Sequence, residues 1–213
     1  MTRLILASIS PRRKVLMECM GLMFDVIPST FDEYLDEDRS PRDVCIELGY
    51  GKADDVARKH PDAYTIGGDL IVVVDDKQLA KPADAAEAKE MLRLISGRTH
   101  QAFGSVVLVS PAHGVRDADA AEVHIEVAEI PESVMDAYIA TGDPYDKAGG
   151  YARRHPLIAP YFTVHGDTHV LTGLSTKQLR ALLEKHGIEV PNDEVKTNEL
   201  FEKSSFADLR VIV

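Results

Sequence analysis

The sequence predicts an α/β protein built on a mixed sheet, and three observations carry that prediction. Short apolar runs alternate with helical patterns over the first hundred residues, the signature of parallel strands joined by helical crossovers. Two longer apolar-rich runs, residues 102–110 and 121–128, follow each other across a polar loop, as an antiparallel hairpin would. Across 213 residues there is no Gly/Ser linker, low-complexity tract or internal repeat to divide the chain.

A first strand is expected at residues 3–6. Ser10 then takes the N-cap position of a helix with Pro11 at its first turn, continuing through Val15, Leu16 and Met20 to a stop at Gly21. Residues 23–27 read as a second strand, followed by an acidic loop with Phe31, Asp32 and Glu33. Ser40 and Pro41 open a second helix that reaches about Lys59. Residues 64–74 are β-rich but interrupted by Gly67, Gly68 and Asp69, and Asp75-Asp76 makes a turn. After Lys81-Pro82, Asp84 and Glu87 are spaced as a capping box for a helix with Met91, Leu92 and Ile95 on its apolar face. Beyond the hairpin come a short helix at 131–140, a glycine-rich loop at 142–151, and strands expected at 161–164 and 168–171. Ser175 caps a last helix to about Lys185. The tail is polar until residue 207, and for the apolar end at 207–213 an edge strand and packing on a partner are both open.

Composition narrows the function. With 45% hydrophobic and 28% charged residues the chain matches ordinary globular proteins, and no apolar run has the length of a membrane span. No basic, then apolar leader is recognisable, so a cytoplasmic protein without membrane contact is expected. A net charge of −11 argues against nucleic acid polymers, which need a broad basic surface. A small polyanion remains compatible if a local Arg/Lys cluster and a divalent cation offset the global field. Cys19 and Cys45 each sit in an apolar helical pattern and are expected to be reduced core thiols. No Walker A, HExxH or serine nucleophile elbow occurs.

Several residues suit phosphate chemistry. A strand that runs into a helix start presents unpaired backbone N–H groups and the positive end of the helix dipole. Ser8, Ser10, Arg12 and Arg13 add two hydroxyls and two guanidiniums there; the bland alternative is a surface helix with solvated arginines. Lys52 falls in line with Val44, Leu48 and Val56 on one helix face, so it either snorkels to water or meets an anion in a cleft. On that apolar face its removal is expected not to cost stability. Asp69 follows two glycines in a hydrophobic run, where a charge must be paired or bind metal. Lys81 and Glu33 are weaker signals, as such loop residues are commonly solvated. Asp146 and Lys147, before Ala148-Gly149-Gly150, can border a cleft where backbone approaches a ligand closely. His165 and His169 straddle a Gly-Asp turn, a poor metal spacing.

Taken in order, these blocks resemble the Maf family, nucleoside triphosphate pyrophosphatases similar in fold to the inosine triphosphate pyrophosphatases. The matching stretches include Leu6 to Arg13, Asp32-Glu33, Gly51-Lys52-Ala53, Gly68-Asp69, Lys81-Pro82, Ser96-Gly97-Arg98-Thr99-His100 and Asp146-Lys147-Ala148-Gly149. The resemblance implies a single domain over residues 1–190 with 191–213 as an extension, and two lobes flanking a deep nucleotide cleft on an elongated mixed sheet. It also implies hydrolysis between the α- and β-phosphates to a nucleoside monophosphate and pyrophosphate. Asp69 would be the base, Ser8, Ser10, Arg12, Arg13, Lys52 and Lys81 would hold the phosphates, and Glu33 and Asp69 would lie at a divalent metal, Mg²⁺ or Mn²⁺. Assembly as a homodimer is left open.

Three positions depart from the family pattern. The usual threonine after the aspartate is Leu70, the glutamine after the Lys-Ala-Gly loop is Arg154, and a strand threonine aligns near Gly104. Family members favouring dTTP and UTP combine that threonine and glutamine with an arginine at the Arg12 position. Arg12, Leu70 and Arg154 are therefore the candidate specificity residues, and a preference other than dTTP/UTP is expected. The rival readings are a nucleotide-binding regulator of cell division and a nucleotidyltransferase.

Overall fold

The computed structural model describes residues 2–34, 36 and 38–204; the apolar end at 207–213 lies outside the described residues. Strand β1 (Leu4–Leu6) leads through helix α1 (Pro11–Cys19) to β2 (Phe24–Val26), then through α2 (Pro41–Ala57) to β3 (Tyr64–Gly67). Both β2 and β3 pair with β1 in parallel. β4 (Leu70–Val74) continues β3 and turns at Asp75 and Asp76, both at positive φ, into β5 (Lys77–Leu79). Helix α3 (Ala85–Ile95) precedes the hairpin of β6 (Thr99–Ser110) and β7 (Val115–Val127). Then come α4 (Glu132–Ile139), β8 (Phe162–His165), α5 (Thr176–Lys185) and α6 (Glu194–Lys203). The sheet is mixed, as its parallel crossovers and antiparallel hairpin predict, with order β2-β1-β3-β6-β4-β5 and with β7 and β8 added beyond β6.

β6 is the spine of this sheet. β7 follows one edge over its whole length, while β3 pairs with the C-terminal half of the other edge and β4 with the N-terminal half. Gly67 lies opposite Val107 and Leu70 opposite Gly104, so the register carries through Gly68 and Asp69 with no inserted residue. The glycines there are required by contact: a Cβ on Gly67 would stand 2.4 Å from the Gly49 carbonyl oxygen, and one on Gly68 2.5 Å from that of Ser105. α2 thus packs almost backbone to backbone on the sheet.

The two largest apolar cores among the described residues lie along the sheet. The first gathers Leu6, Leu16, Met17, Leu108, Leu179 and Phe201; the second gathers Val72, Leu92, Ala102, Ile125, Tyr138 and Ile158. Burial of such side chains contributes roughly 1.5–3 kcal/mol each. Cys19 and Cys45 are both free and buried, as expected.

Four local expectations need correction. Residues 111–120 are not a long loop: the turn is confined to Pro111–His113 and Gly114, and β7 begins at Val115. The charged start of β7 is compatible with a strand because Arg116 pairs with Asp54, Asp119 with Arg42, and Asp117 with Lys185 and His186. Residues 168–171 form a 3₁₀ turn (Thr168–Thr172) rather than a strand, with Asp167 accepting from the His169 N–H and Gly173 closing it at φ 73°. Helix α5 is not the last helix. α6 follows, capped by Asp193, and lays Thr197 and Phe201 inward. Lastly, Ser10 sits at the N-cap position of α1 but its side chain makes no capping bond; instead its N–H donates to Ser8 Oγ at 3.1 Å.

His100 in β6 is buried beside Tyr151, with Nε2 2.8 Å from the phenol oxygen. Burial lowers its pKa from 6.5 to about 4. Between those values the unfolded chain takes up a proton that the folded chain refuses, so stability falls as pH drops through this window, by up to about 3 kcal/mol. Denaturant unfolding at pH 7 and pH 4 should show a smaller acid loss in His100→Gln than in the parent. An equal loss in both would assign the acid sensitivity to other groups.

Candidate active site

A cavity of about 1160 Å³ opens between the two lobes, above the Gly67–Gly68–Asp69 crossing. Ser8, Ser10, Arg12, Arg13, Glu33, Lys52, Asp69, Leu70, Lys81, Asp146, Lys147 and Arg154 all line it, so the structure brings every residue expected of the site to one place. The distances separate those that meet directly from those that only share the wall.

The centre is a charge cluster around Lys52. Its Nζ lies 2.7 Å from Asp69 Oδ1 and 2.8 Å from Glu33 Oε1, and both Lys52 and Asp69 are only 8% exposed. Of the two readings for a lysine on the apolar line of α2, the structure takes the second: it faces anions in a cleft. Asp69 is fixed through its backbone, since its N–H donates to Ser105 Oγ at 2.9 Å and the Ser105 hydroxyl donates to the Cys45 carbonyl at 2.7 Å. The Cys45 thiol is pushed up to about 12 by burial and stays protonated.

Glu33 reaches Lys52 because its loop is pinned to the same helix. The Phe31 ring occupies the space where a side chain on Gly51 would stand, 2.4 Å from that Cβ position. One carboxylate oxygen of Asp55 accepts from the Thr30 N–H and from the hydroxyls of Ser29 and Thr30. Burial works against ionisation of Glu33, but the hydrogen bond and charge of Lys52, helped by Lys81, outweigh it and hold the carboxyl below its ordinary value. Lys81 Nζ stands 3.5 Å from Glu33 Oε2 and remains half exposed.

Arg13 approaches from the start of α1. It donates to Ser8 Oγ at 3.2 Å and lies 3.9 Å from Asp69 Oδ1. Burial lowers its pKa, with the Asp69 charge opposing, and its Nε is buried with no hydrogen-bond partner among the described residues. A Cβ on Gly173 would come within 2.4 Å of the guanidinium, so only glycine leaves room for Arg13 there. An orphaned N–H on a guanidinium near Asp69 is the kind of group that a bound anion would satisfy.

Lys147 shares the wall but its charge is committed to its own turn, to the Asp143 carbonyl at 2.8 Å, the Asp143 carboxylate at 3.1 Å and Asp146. The Gly149 N–H donates to the Ala80 carbonyl at 3.0 Å, which ties this loop to the segment carrying Lys81. The spacing of the sequence gave no sign of Arg153, Thr172 or Phe201, which also line the cavity. Arg153 makes no hydrogen bond or ion pair among the described residues, and neighbouring charges in the sequence alone could not have told it from a solvated arginine.

Glu33 and Asp69 both reach the Lys52 ammonium and are the carboxylates there that could hold a divalent cation. Among the described residues no group of three His, Cys, Asp or Glu side chains forms a metal cage. Two hard carboxylates with the remaining positions left to ligand oxygens and water is the donor set that suits Mg²⁺.

The cluster changes what Lys52 does for stability. Its loss leaves Asp69 buried with only the more distant Arg13, and uncompensated buried charges are strongly destabilising. Lys52→Ala should therefore cost about 3 kcal/mol, against the neutral effect that the helical pattern alone implies. In a denaturant series the added change Asp69→Asn should recover most of that loss. A single variant as stable as the parent would show the ion pair to be energetically idle.

The profile of the Maf-like protein family matches residues 3–186. A dTTP/UTP pyrophosphatase of Bacillus cytotoxicus is 40% identical over 179 residues, covering 84% of this chain and 93% of that protein. A dTTP/UTP pyrophosphatase of Bacillus cereus is 37% identical over 190 residues, covering 89% and 98%. The solved Ham1 protein of Staphylococcus aureus superimposes with a TM-score of 0.50 at 15% identity, covering 87% of this chain and all of that one, a likeness that concerns the fold alone. The chain belongs to the Maf-like protein family.

Proposed function

We propose that the protein hydrolyses nucleoside triphosphates to nucleoside monophosphates and pyrophosphate. The observation that carries this reading is the Lys52 cluster, a buried ammonium between two carboxylates at the foot of a cavity that also receives Arg13 and Lys81. The names of the Bacillus relatives point the same way and do not favour the regulator. Clearing non-standard or excess nucleotides is the corresponding role.

In this reading the incoming triphosphate takes over part of the pairing that Glu33 and Asp69 give the cations. Arg13, with its Nε unpaired among the described residues, Lys52 and Lys81 bind phosphate oxygens, helped by Ser8, Ser10, Arg12 and the first-turn N–H groups of α1. Charge builds on the departing pyrophosphate, and fixed cations in a water-poor cleft stabilise that charge more than bulk water does. Glu33 and Asp69 would hold a divalent cation, Mg²⁺ or Mn²⁺, whose contribution is to neutralise phosphate charge and activate water. Asp69 orients the attacking water and accepts its proton, its backbone being locked by Ser105. Asp146 and Lys147 brace the loop at the rim.

The substrate preference follows from the wall. Leu70 offers no hydroxyl, and opposite it the Cβ of any residue replacing Gly104 would stand 2.8 Å from the Val170 carbonyl oxygen. A side chain that could hydrogen-bond a base is therefore absent at Leu70, which lines the cavity, and a side chain of any kind is sterically excluded at its cross-strand neighbour Gly104.

Two outcomes are expected. A panel of canonical and modified nucleotides with Mg²⁺ or Mn²⁺ should yield monophosphate and pyrophosphate without a second substrate, be stopped by chelator, and show no large lead for dTTP and UTP. Diphosphate with inorganic phosphate as products, or no turnover at all, would overturn the assignment. Asp69→Asn should still fold and bind nucleotide, since Glu33 keeps Lys52 paired, while single-turnover rates fall by at least about a hundred-fold. Near-normal turnover would move the base elsewhere, Glu33 being next.

A further inference from the structure

Arg153 lines the cavity and is half-buried, yet it has no hydrogen bond or ion pair among the described residues. A buried guanidinium without a partner is unfavourable, and desolvation lowers its pKa accordingly. Its backbone is fixed in place. The turn that carries it is closed by the His155 N–H, which donates to the Ala152 carbonyl at 2.7 Å. Just before it, the Tyr151 ring stacks on Phe162 with centroids 4.9 Å apart. The Ala152 N–H donates to the buried Tyr138 hydroxyl at 2.8 Å, and that hydroxyl donates to Asp143 at 2.8 Å.

This arginine stands apart from the charged floor. The ionisable groups that act on it are Arg154, Tyr151 and Glu202; none belongs to the Lys52 cluster. Tyr151 and Ala152 line the cavity beside it. Val72, also on the wall, lies across Gly149 from the Tyr151 ring, each 3.2 Å from where a Cβ on that glycine would stand. Apolar surface of this kind suits a planar base rather than phosphate. A triphosphate held at the Lys52 cluster leaves its nucleoside to the rest of the cavity, where Arg153 waits.

A guanidinium presents its N–H groups as a planar fork, which two adjacent acceptors on one ring edge satisfy together. Guanine and hypoxanthine offer O6 and N7, and cytosine offers O2 and N3. Adenine sets an amino group beside its ring nitrogens, and uracil and thymine separate their carbonyls by an N–H. We propose that Arg153 is a specificity residue of the cavity, whose fork selects bases with two adjacent acceptors on one edge, guanine, hypoxanthine or cytosine, over adenine, uracil or thymine. This rests on the proposed nucleotide substrate. It supplies a positive preference where Leu70 and Gly104 only remove contacts.

The full chain, Arg153→Leu and Arg153→Lys are titrated calorimetrically with the α,β-methylene analogues of GTP, ITP, CTP, ATP and UTP and with inorganic tripolyphosphate. The parent should bind the first three analogues ahead of the other two. Arg153→Leu should weaken those three by roughly ten- to a hundredfold, the range of a bidentate contact to a base edge, and leave the rest within about twofold. Arg153→Lys keeps the charge but loses the fork, so it should lose the same ranking. It decides alone if Arg153→Leu fails to fold. A parent that favours ATP or UTP, an unchanged ranking in the folded variants, or equal weakening toward every nucleotide and tripolyphosphate overturns the inference. A parent that binds the analogues in the expected order but hydrolyses no nucleotide overturns the hydrolase reading and leaves this one standing.

Discussion

The site depends on how closely α2 lies on the sheet. Gly49 faces Gly67, Gly68 and Ser105 with no room for a side chain at any of the three glycines. Lys52 is three residues further along the same face, so the contact that brings the backbones together also drives its ammonium down onto Asp69. Gly51, on the adjoining face, receives the Phe31 ring and brings the loop with Glu33. One helix, through three small features of its surface, delivers the cation, aims one carboxylate and anchors the other.

Burying that cluster is unfavourable on its own terms. Taking charges from water costs several kcal/mol each, and their mutual attraction offsets this only with good geometry. The structure supplies the geometry with short Lys52 contacts, a locked Asp69 backbone and a second cation in Arg13, but it leaves Arg13 Nε without a partner among the described residues. Such a site is stable enough to persist and incomplete enough to welcome an anion. The arrangement suits a pocket that must accept a highly charged substrate and release charged products, because each phosphate contact replaces an internal pair of comparable strength.

The cavity is built by elements far apart in the chain. The turn before α1, the loop before α2, the crossing of β3 into β4, the segment after β5, the loop at residues 143–155 and the end of α6 each contribute a wall. Rigid sheet and helix hold the charged floor, while loops and α6 complete the wall.

Much of this was legible in the residues. Alternation and hairpin spacing gave the mixed sheet, and Gly67-Gly68-Asp69 gave the interruption, because only glycine tolerates such close backbone approach. The line of Val44, Leu48, Lys52 and Val56 marked a lysine that had to find an anion. What it could not give were facts that exist only between distant segments. The charged start of β7 looked like a loop because its partners, Asp54, Arg42 and Lys185, come from two other helices. Residues 168–171 looked like a strand, but no sheet edge accepts them and Gly104 leaves a hollow for Val170 instead. Lys52 looked dispensable to stability because its two carboxylates are 17 and 19 positions away. α6 was hidden by its polar surface, its inward face reduced to Thr197 and Phe201. Local pattern determines which elements form; tertiary contact decides which charges are paired, and so what each residue at the site can do.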